Sequence, residues 1–374
     1  MVWNWQKNDW PRFTWDAAPL GELELRLLVA AGYLAGATSH LPPADAEHLR
    51  ITLLSHEALK TSEIEGLILD HDSLQVSLRR QFGLPADGRA VGPAEQGVAA
   101  LMADLYRTYD QPLRHEALWA WQALLTTGRT DLADLGRYRT HQDAMQIVSG
   151  PVHRPVVHFE APPSHRVPGE MAAYIDWFNQ SAPGGASPLP ALSRAGVAHL
   201  YFVCIHPFED GNGRLARALA EKALAQSLGR PTLFALAQVI SRQRKRYYQA
   251  LEAANTDNEL TDWLVYFAET VLEACRYSRR LVGFLIQKAR FYHQYHHQLN
   301  DRQAKVLARM FREGPEGFAG GLNAHKYQRI TGASAATTTR DLAELTALGA
   351  LTRTGERKYT RYDLNLPASP LDDI

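Results

Sequence analysis

The amino-acid sequence predicts a mainly α protein: a helical bundle interrupted by one small β-hairpin and followed by a module of three helices and two short strands. Apolar residues recur three and four apart through most of the 374 residues, the period of helices with one buried face. One β-prone stretch, Val156-Val-His-Phe-Glu160, is closed by Ala161-Pro-Pro163 and therefore reads as a short exposed hairpin. From about Asp301 the texture changes to short helical runs broken by glycine, then to Thr- and Arg-rich strand-like residues around Gly355.

The helical runs are Leu23 to Ala35, Leu49 to Leu59, Glu95 to Tyr109, Leu113 to Leu125, Gly169 to Phe178, Leu192 to Ile205 and Leu215 to Leu228. Phe82 to Arg89, Ser149 to Pro155 and Ala182 to Pro190 are rich in Pro and Gly and mark loops between them. No period repeats along the chain, which argues against a solenoid. Trp3, Trp5, Trp10 and Trp15 crowd the N-terminal stretch. Such a density of large rings implies packing or an interface.

With 45% apolar residues the chain can bury a sizeable core, and its length suits two or three domains. Lys and Arg balance Asp and Glu at 40 each, so no global charge points to nucleic acid or a membrane. Cys204 and Cys275 lie far apart in apolar helical runs, as buried thiols of a reducing compartment do. The first residues lack the basic-then-apolar order of a signal peptide, and no stretch reaches the roughly 18 apolar residues of a membrane span. A cytoplasmic protein is expected.

The chemistry concentrates in His206-Pro-Phe-Glu-Asp-Gly-Asn-Gly-Arg214, which joins two apolar helices. Pro207 is expected to stop the incoming helix. Gly211 and Gly213 permit positive φ and turn backbone N–H groups inward, and the next helix, beginning at Arg214, aims its positive end at the same space. Arg214 and Arg217 sit three apart at that helix start, able to clamp phosphate oxygens with forked hydrogen bonds. Asp210 is a hard oxygen ligand of the kind Mg²⁺ uses beside phosphates. His206, with an ordinary pKa of about 6.5, suits a proton acceptor near neutrality. Phe208 reads as the anchor of the loop in the core.

The segment His206 to Arg217 resembles the Fic family, whose motif is His-x-Phe-x-Asp/Glu-Gly-Asn-Gly-Arg-x-x-Arg with Pro common at the first x. All eight specified positions match. The resemblance implies a Fic-type helical bundle that moves a nucleoside monophosphate, usually AMP from ATP, onto a Tyr, Ser or Thr hydroxyl of a protein, with ATP as substrate and Mg²⁺ as cofactor. It casts His206 as base, Asp210 as metal ligand, and Asn212 with the Gly211 and Gly213 amides as binders of the α-phosphate. Arg214 and Arg217 would hold the β- and γ-phosphates. Tyr247, Tyr248 and Asn255 lie where Fic proteins close the adenosine pocket, and residues 156–163 fall at the flap that docks a target peptide by strand addition.

Thr61-Ser-Glu-Ile-Glu65-Gly66 ends a helical run, with Glu65 one turn after Thr61 and Gly66 as terminator. It matches the inhibitory motif of Fic proteins, Ser/Thr-x-x-x-Glu-Gly/Asn. The implication is that Glu65 pairs with Arg217 and fills γ-phosphate space. The expected organisation is an N-terminal helical region at 1–105, a Fic catalytic domain at 106–290 and a winged helix-turn-helix at 300–366.

That last module carries 11 Lys and Arg against 6 Asp and Glu between Asp301 and Arg361. Its second paired helix, about Ala333 to Leu348, presents small polar residues and Arg340, and Arg353, Arg357, Lys358 and Arg361 decorate the wing. DNA binding through 333–361 is one expectation, and protein docking is another. His293 and His297 have metal-ligand spacing without a third ligand, so they read as a polar helix face. A homodimer follows only from the resemblance, as does self-modification. The alternatives are a DNA-binding regulator whose Fic domain senses nucleotide, or a Fic enzyme that uses another donor or removes AMP.

Overall fold

A computed structural model describes residues 2–39, 41–151, 154–315, 317–318 and 320–367. Val152 and His153 of the expected loop, Glu316 and Ala319 of the Gly-rich break and the Lys358 side chain of the wing lie outside them. The elements in order are α1 (Ala18–Ser39), α2 (Pro43–Ile64), α3 (His71–Gln81), α4 (Pro93–Thr108), α5 (His115–Leu125), β1 (Gln146–Ser149) and β2 (Val156–Glu160). Then follow α6 (Val167–Gln180), α7 (Ala191–Ile205), α8 (Asn212–Leu228), α9 (Leu236–Arg242), α10 (Arg244–Ala254) and α11 (Thr261–Tyr295). The chain continues with α12 (Asp301–Arg312), α13 (Ala324–Thr331), α14 (Ala335–Ala347), β3 (Leu351–Thr354) and β4 (Arg361–Leu364).

Two compact units divide the chain, Met1–Arg276 and Tyr277–Ile374, and the division falls inside α11. Phe284, Phe291 and Tyr295 belong to the core of the second unit with Leu307, Phe311 and Leu345. A boundary near 300 follows the polar break after the helix, whereas compactness follows where these aromatics pack.

The first unit is built around α7. Every residue from Leu192 to Ile205 is buried, so this helix is apolar all round and its neighbours enclose it. Among its buried polar residues, Arg194 and His199 reach neighbouring helices. Arg194 donates to the carbonyls of Phe178 and Ala223 and to Gln226 Oε1 at 2.9, 3.1 and 2.7 Å, tying α7 to the end of α6 and to α8. His199 meets the Tyr247 hydroxyl at 3.1 Å. At Gly196 a side chain would strike Leu264 and Phe267, so glycine sets the close approach of α11.

The hairpin is antiparallel, with Ser149 opposite Val156 and Ile147 opposite Phe159. The N-terminal tryptophans hold it down: Trp5 Nε1 donates to the Glu160 carbonyl at 2.6 Å, and Trp3 meets Phe159 edge-on at 5.4 Å. Asn4 N donates to the Asn255 carbonyl at 2.8 Å.

In the second unit α12, α13 and α14 share buried Asp341, which accepts from Arg302 at 2.8 Å and from the Tyr327 hydroxyl at 2.9 Å. β3 and β4 then pair antiparallel, and Leu322 bridges Tyr362 beside them.

Candidate active site

α7 ends at Ile205, two residues before Pro207, because His206 turns left-handed at φ 50°. A non-glycine residue there is strained unless its surroundings impose it. The buried Arg139 does so. Its Nε donates to the His206 carbonyl at 2.8 Å, its backbone N–H donates to the Pro207 carbonyl at 2.9 Å, and its far nitrogens reach Ser164 and Pro162. Burial without a counter-charge lowers the Arg139 pKa to about 10, which leaves it charged at neutral pH.

His206 directs Nδ1 to the Val203 carbonyl at 3.3 Å. A carbonyl only accepts, so Nδ1 carries the proton and Nε2 presents its lone pair. Burial is the main cause of its pKa falling to about 4, so the ring is neutral at pH 7 and free to accept a proton.

Gly211 has φ 93° and precedes α8, which starts at Asn212, two residues earlier than expected. Gly213 is therefore helical and makes no use of positive φ. It is small for another reason: a Cβ there would collide with the Glu65 carboxylate. The Asn212 side chain locks the loop, accepting from Phe208 N at 3.0 Å and donating to Phe208 O at 2.8 Å. Phe208 is buried, as expected of an anchor.

Arg217 is 2% exposed and is held by α2. Its Nε donates to Thr61 Oγ1 at 2.7 Å, and Nη2 donates to the Thr61 carbonyl at 2.9 Å and to Glu65 Oε1 at 2.7 Å. Arg217 Nη1 and Arg214 Nε are buried donors without a hydrogen-bond partner. Such groups are costly unless an anion completes them. Arg214 Nη2 donates to Asp210 Oδ1 at 3.1 Å. The other Asp210 oxygen takes Arg129 Nη1 at 2.6 Å, and Arg129 is itself gripped by Asp131 at 2.7 and 2.6 Å.

A cavity of about 540 Å³ joins Glu65, His206, Gly213, Tyr247, Tyr248 and Asn255 to the hairpin residues Ile147, Val148, Ser149, His158 and Phe159. Asp210, Gly211, Asn212, Arg214 and Arg217 do not line it. Tyr247 combines the two roles a tyrosine can have here: it is 2% exposed in the core yet forms part of the wall. Asn255 accepts from the Cys204 thiol at 3.3 Å. Arg129 and Arg139 escape sequence reading because the loop groups they hold, Asp210 and the His206 carbonyl, lie 81 and 67 residues away.

Cys204 and Cys275 are free and buried. Among the described residues no three His, Cys, Asp or Glu gather as a metal cluster, and no helix is long and apolar enough to cross a membrane.

Residues 112–224 match the Fic/DOC family, and residues 3–84 match a domain of unknown function, DUF4172. The protein adenylyltransferase fic-1 of Caenorhabditis briggsae is 32% identical over 100 residues, 27% of this chain and 18% of that protein. A probable protein adenylyltransferase of Aquifex aeolicus is 29% identical over 96 residues, 26% of each chain. The matches thus span about a fifth to a quarter of these relatives. The crystal structure of a Fic family protein from Desulfovibrio desulfuricans superposes with a TM-score of 0.52 at 21% identity, over 91% of this chain and 95% of that one. A Fic-domain signalling protein from Bacteroides thetaiotaomicron gives 0.51 at 18% identity, over 68% and 95%. At such identities the likeness is one of fold. With the motif at His206 to Arg217 inside the matched segment, this chain carries a domain of the Fic/DOC family.

Proposed function

We propose that this chain is a protein adenylyltransferase that moves AMP from ATP to a Tyr, Ser or Thr hydroxyl of a target protein, and that Glu65 restrains it. The observation that carries the reading is the meeting of three things in one place. His206 belongs to the wall of a cavity roomy enough for a nucleotide, buried arginine donors without acceptors stand at the start of α8, and Glu65, in the same wall, is paired with one of those arginines, Arg217.

In the reaction His206 Nε2 takes the proton of the target hydroxyl. The hydroxyl oxygen bonds to the α-phosphorus, the bond from that phosphorus to the bridging oxygen breaks, and pyrophosphate leaves. Preorganised donors at the α8 N-terminus would stabilise the phosphate charge. Tyr247, Tyr248 and Asn255 are assigned to the nucleoside, and the hairpin to the target peptide.

Asp210 suits Mg²⁺ as a single carboxylate ligand completed by phosphate oxygens and water, since nothing nearby makes an all-protein cage. The ion would neutralise phosphate charge. Asp210 would exchange its contact with Arg129 for the metal.

Glu65 is an anion resting where a phosphate would rest, against Gly213 and Arg217. ATP that binds beside it would be deprived of Arg217. The reading is tested by the donor: Glu65→Gly protein should take label from ATP labelled at the α-phosphate. Label taken only from the γ-phosphate would replace it with phosphate transfer.

A further inference from the structure

Asp210 is the carboxylate assigned to the metal, yet both of its oxygens are engaged by this chain. Oδ1 accepts from the Gly211 amide at 2.6 Å and from Arg214 Nη2 at 3.1 Å. Oδ2 accepts from Arg129 Nη1 at 2.6 Å. The Arg214 side chain is 6% exposed and is fixed further by donating to the Leu125 carbonyl at 3.3 Å. Arg129 is 44% exposed and reaches in from the loop after α5, so of the two arginines it is the one that can withdraw toward water.

A second carboxylate is in place to hold Arg129 when it withdraws. Asp131 accepts from Arg129 Nε at 2.7 Å and from Nη2 at 2.6 Å, the forked geometry that makes an arginine and carboxylate pair strong and directional. The hydrogen bonds from Arg129 are the main cause of the Asp131 pKa falling to about 2, so this carboxylate is ionised at neutral pH. One guanidinium is thus shared between Asp131 and Asp210 through different nitrogens. The loop that carries the pair is itself fastened to the motif, because Glu209 Oε2 accepts from the amides of Ala133 and Asp134 at 2.8 and 2.9 Å. Glu209, at a position that the motif leaves open, therefore keeps Arg129 and Asp131 within reach of Asp210.

We propose that Arg129 is a resident cation on Asp210 that competes with the divalent metal, and that Asp131 draws it aside, so that this pair sets how strongly Mg²⁺ supports nucleotide binding. The inference rests on the reading of Asp210 as metal ligand. A guanidinium and a divalent cation repel at contact distance, so the two cannot share one carboxylate oxygen. Arg129 is a positioning residue here, since it acts on the metal ligand and touches none of the reacting atoms. Removing its charge ends the competition. Neutralising Asp131 instead leaves Arg129 with Asp210 as its one carboxylate and strengthens the competition, so the two changes have opposite signs.

The test is the calorimetric affinity of full-length Glu65→Gly protein for an ATP analogue with a methylene bridge between its α- and β-phosphorus, measured with Mg²⁺ and with a chelator. The ratio of the two affinities is the gain due to the metal, a coupling that needs no turnover. Arg129→Gln should raise this gain about threefold to tenfold, Asp131→Asn should lower it by a similar factor, and the double variant should match Arg129→Gln. A merely structural loop contact would move both single variants in the same direction, and that result overturns the inference, as does a gain that ignores Arg129→Gln. An effect of Asp131→Asn that is as large without Arg129 as with it overturns the part assigned to Asp131. Asp210→Asn should abolish the gain. A gain that survives Asp210→Asn overturns the metal assignment together with the inference, whereas a gain lost there but unmoved by Arg129→Gln leaves the metal assignment standing. An analogue that binds no variant overturns the nucleotide reading as well.

Discussion

At the scale of single residues, His206 and Arg217 set the behaviour of the site. The His206 pKa, lowered to about 4 by burial, places the acidic limb of kcat/KM near that value, because the ring accepts a proton only while neutral. Glu65→Gly protein should keep its activity from pH 7 down to about pH 5. A loss centred near 6.5 would show an exposed, unperturbed ring. Replacing His206 with Ala should cost about 10²- to 10⁴-fold in transfer, the usual contribution of a positioned base. On the proposed reading Arg217 would exchange Glu65 for a phosphate, and its bond to Glu65 is charge-assisted but made to a carboxylate that is 31% exposed. Its removal is worth about 1–3 kcal/mol, so Glu65→Gly should raise transfer about tenfold to hundredfold. The residue types were legible because the loop motif is dense. The tautomer of His206 was not, since it depends on how α7 ends at Val203 to Ile205, nor were the helical place of Gly213 and the use of Asn212 on Phe208, since these depend on where α8 begins.

At the scale of elements, the hairpin and α2 are positioned by distant segments. Trp5 and Trp3 reach Glu160 and Phe159 across more than 150 residues of chain, which is why their number was visible in the sequence and their task was not. Trp5→Ala should loosen residues 156–160, seen as faster amide exchange there. It should raise the KM for a protein target while ATP affinity stays within about twofold, a change below about 0.5 kcal/mol. Unchanged exchange would mean the strand holds itself. α2 is tied to α9 by buried Glu57, whose two oxygens accept from Ala237 N at 2.9 and 3.0 Å. The helices expected from the 3.6 period were found, whereas α3, α9, α10 and the 35-residue α11 were not among the runs singled out.

At the scale of the whole molecule, buried ionisable groups oppose one another across pH. Burial lowers the pKa of His56 to about 4, His199 to about 3 and His206 to about 4. Their unfolded forms take up protons from about pH 6.5 downward while the folded forms do not, so stability falls as pH drops through that window. Burial instead raises Glu57 to about 8, and raises Glu221 as well. Folded carboxyls that keep protons favour folding at low pH and lose that advantage as pH rises from about 4.5 toward 8. Thermal melting should therefore peak roughly between pH 5.5 and 6.5 and decline on both sides. A Tm still climbing from pH 7 to 8 would contradict the burial of Glu57 and Glu221.

The central claim is AMP transfer through His206 under restraint by Glu65. Its most direct test uses ATP labelled at the α-phosphate with Mg²⁺ and a mixture of cellular proteins, with label scored on proteins other than this chain. Label should be low with Glu65 present, should rise about tenfold or more in Glu65→Gly, and should vanish when His206→Ala is added. Equal label with and without His206, or none in any variant that binds ATP, would contradict the account.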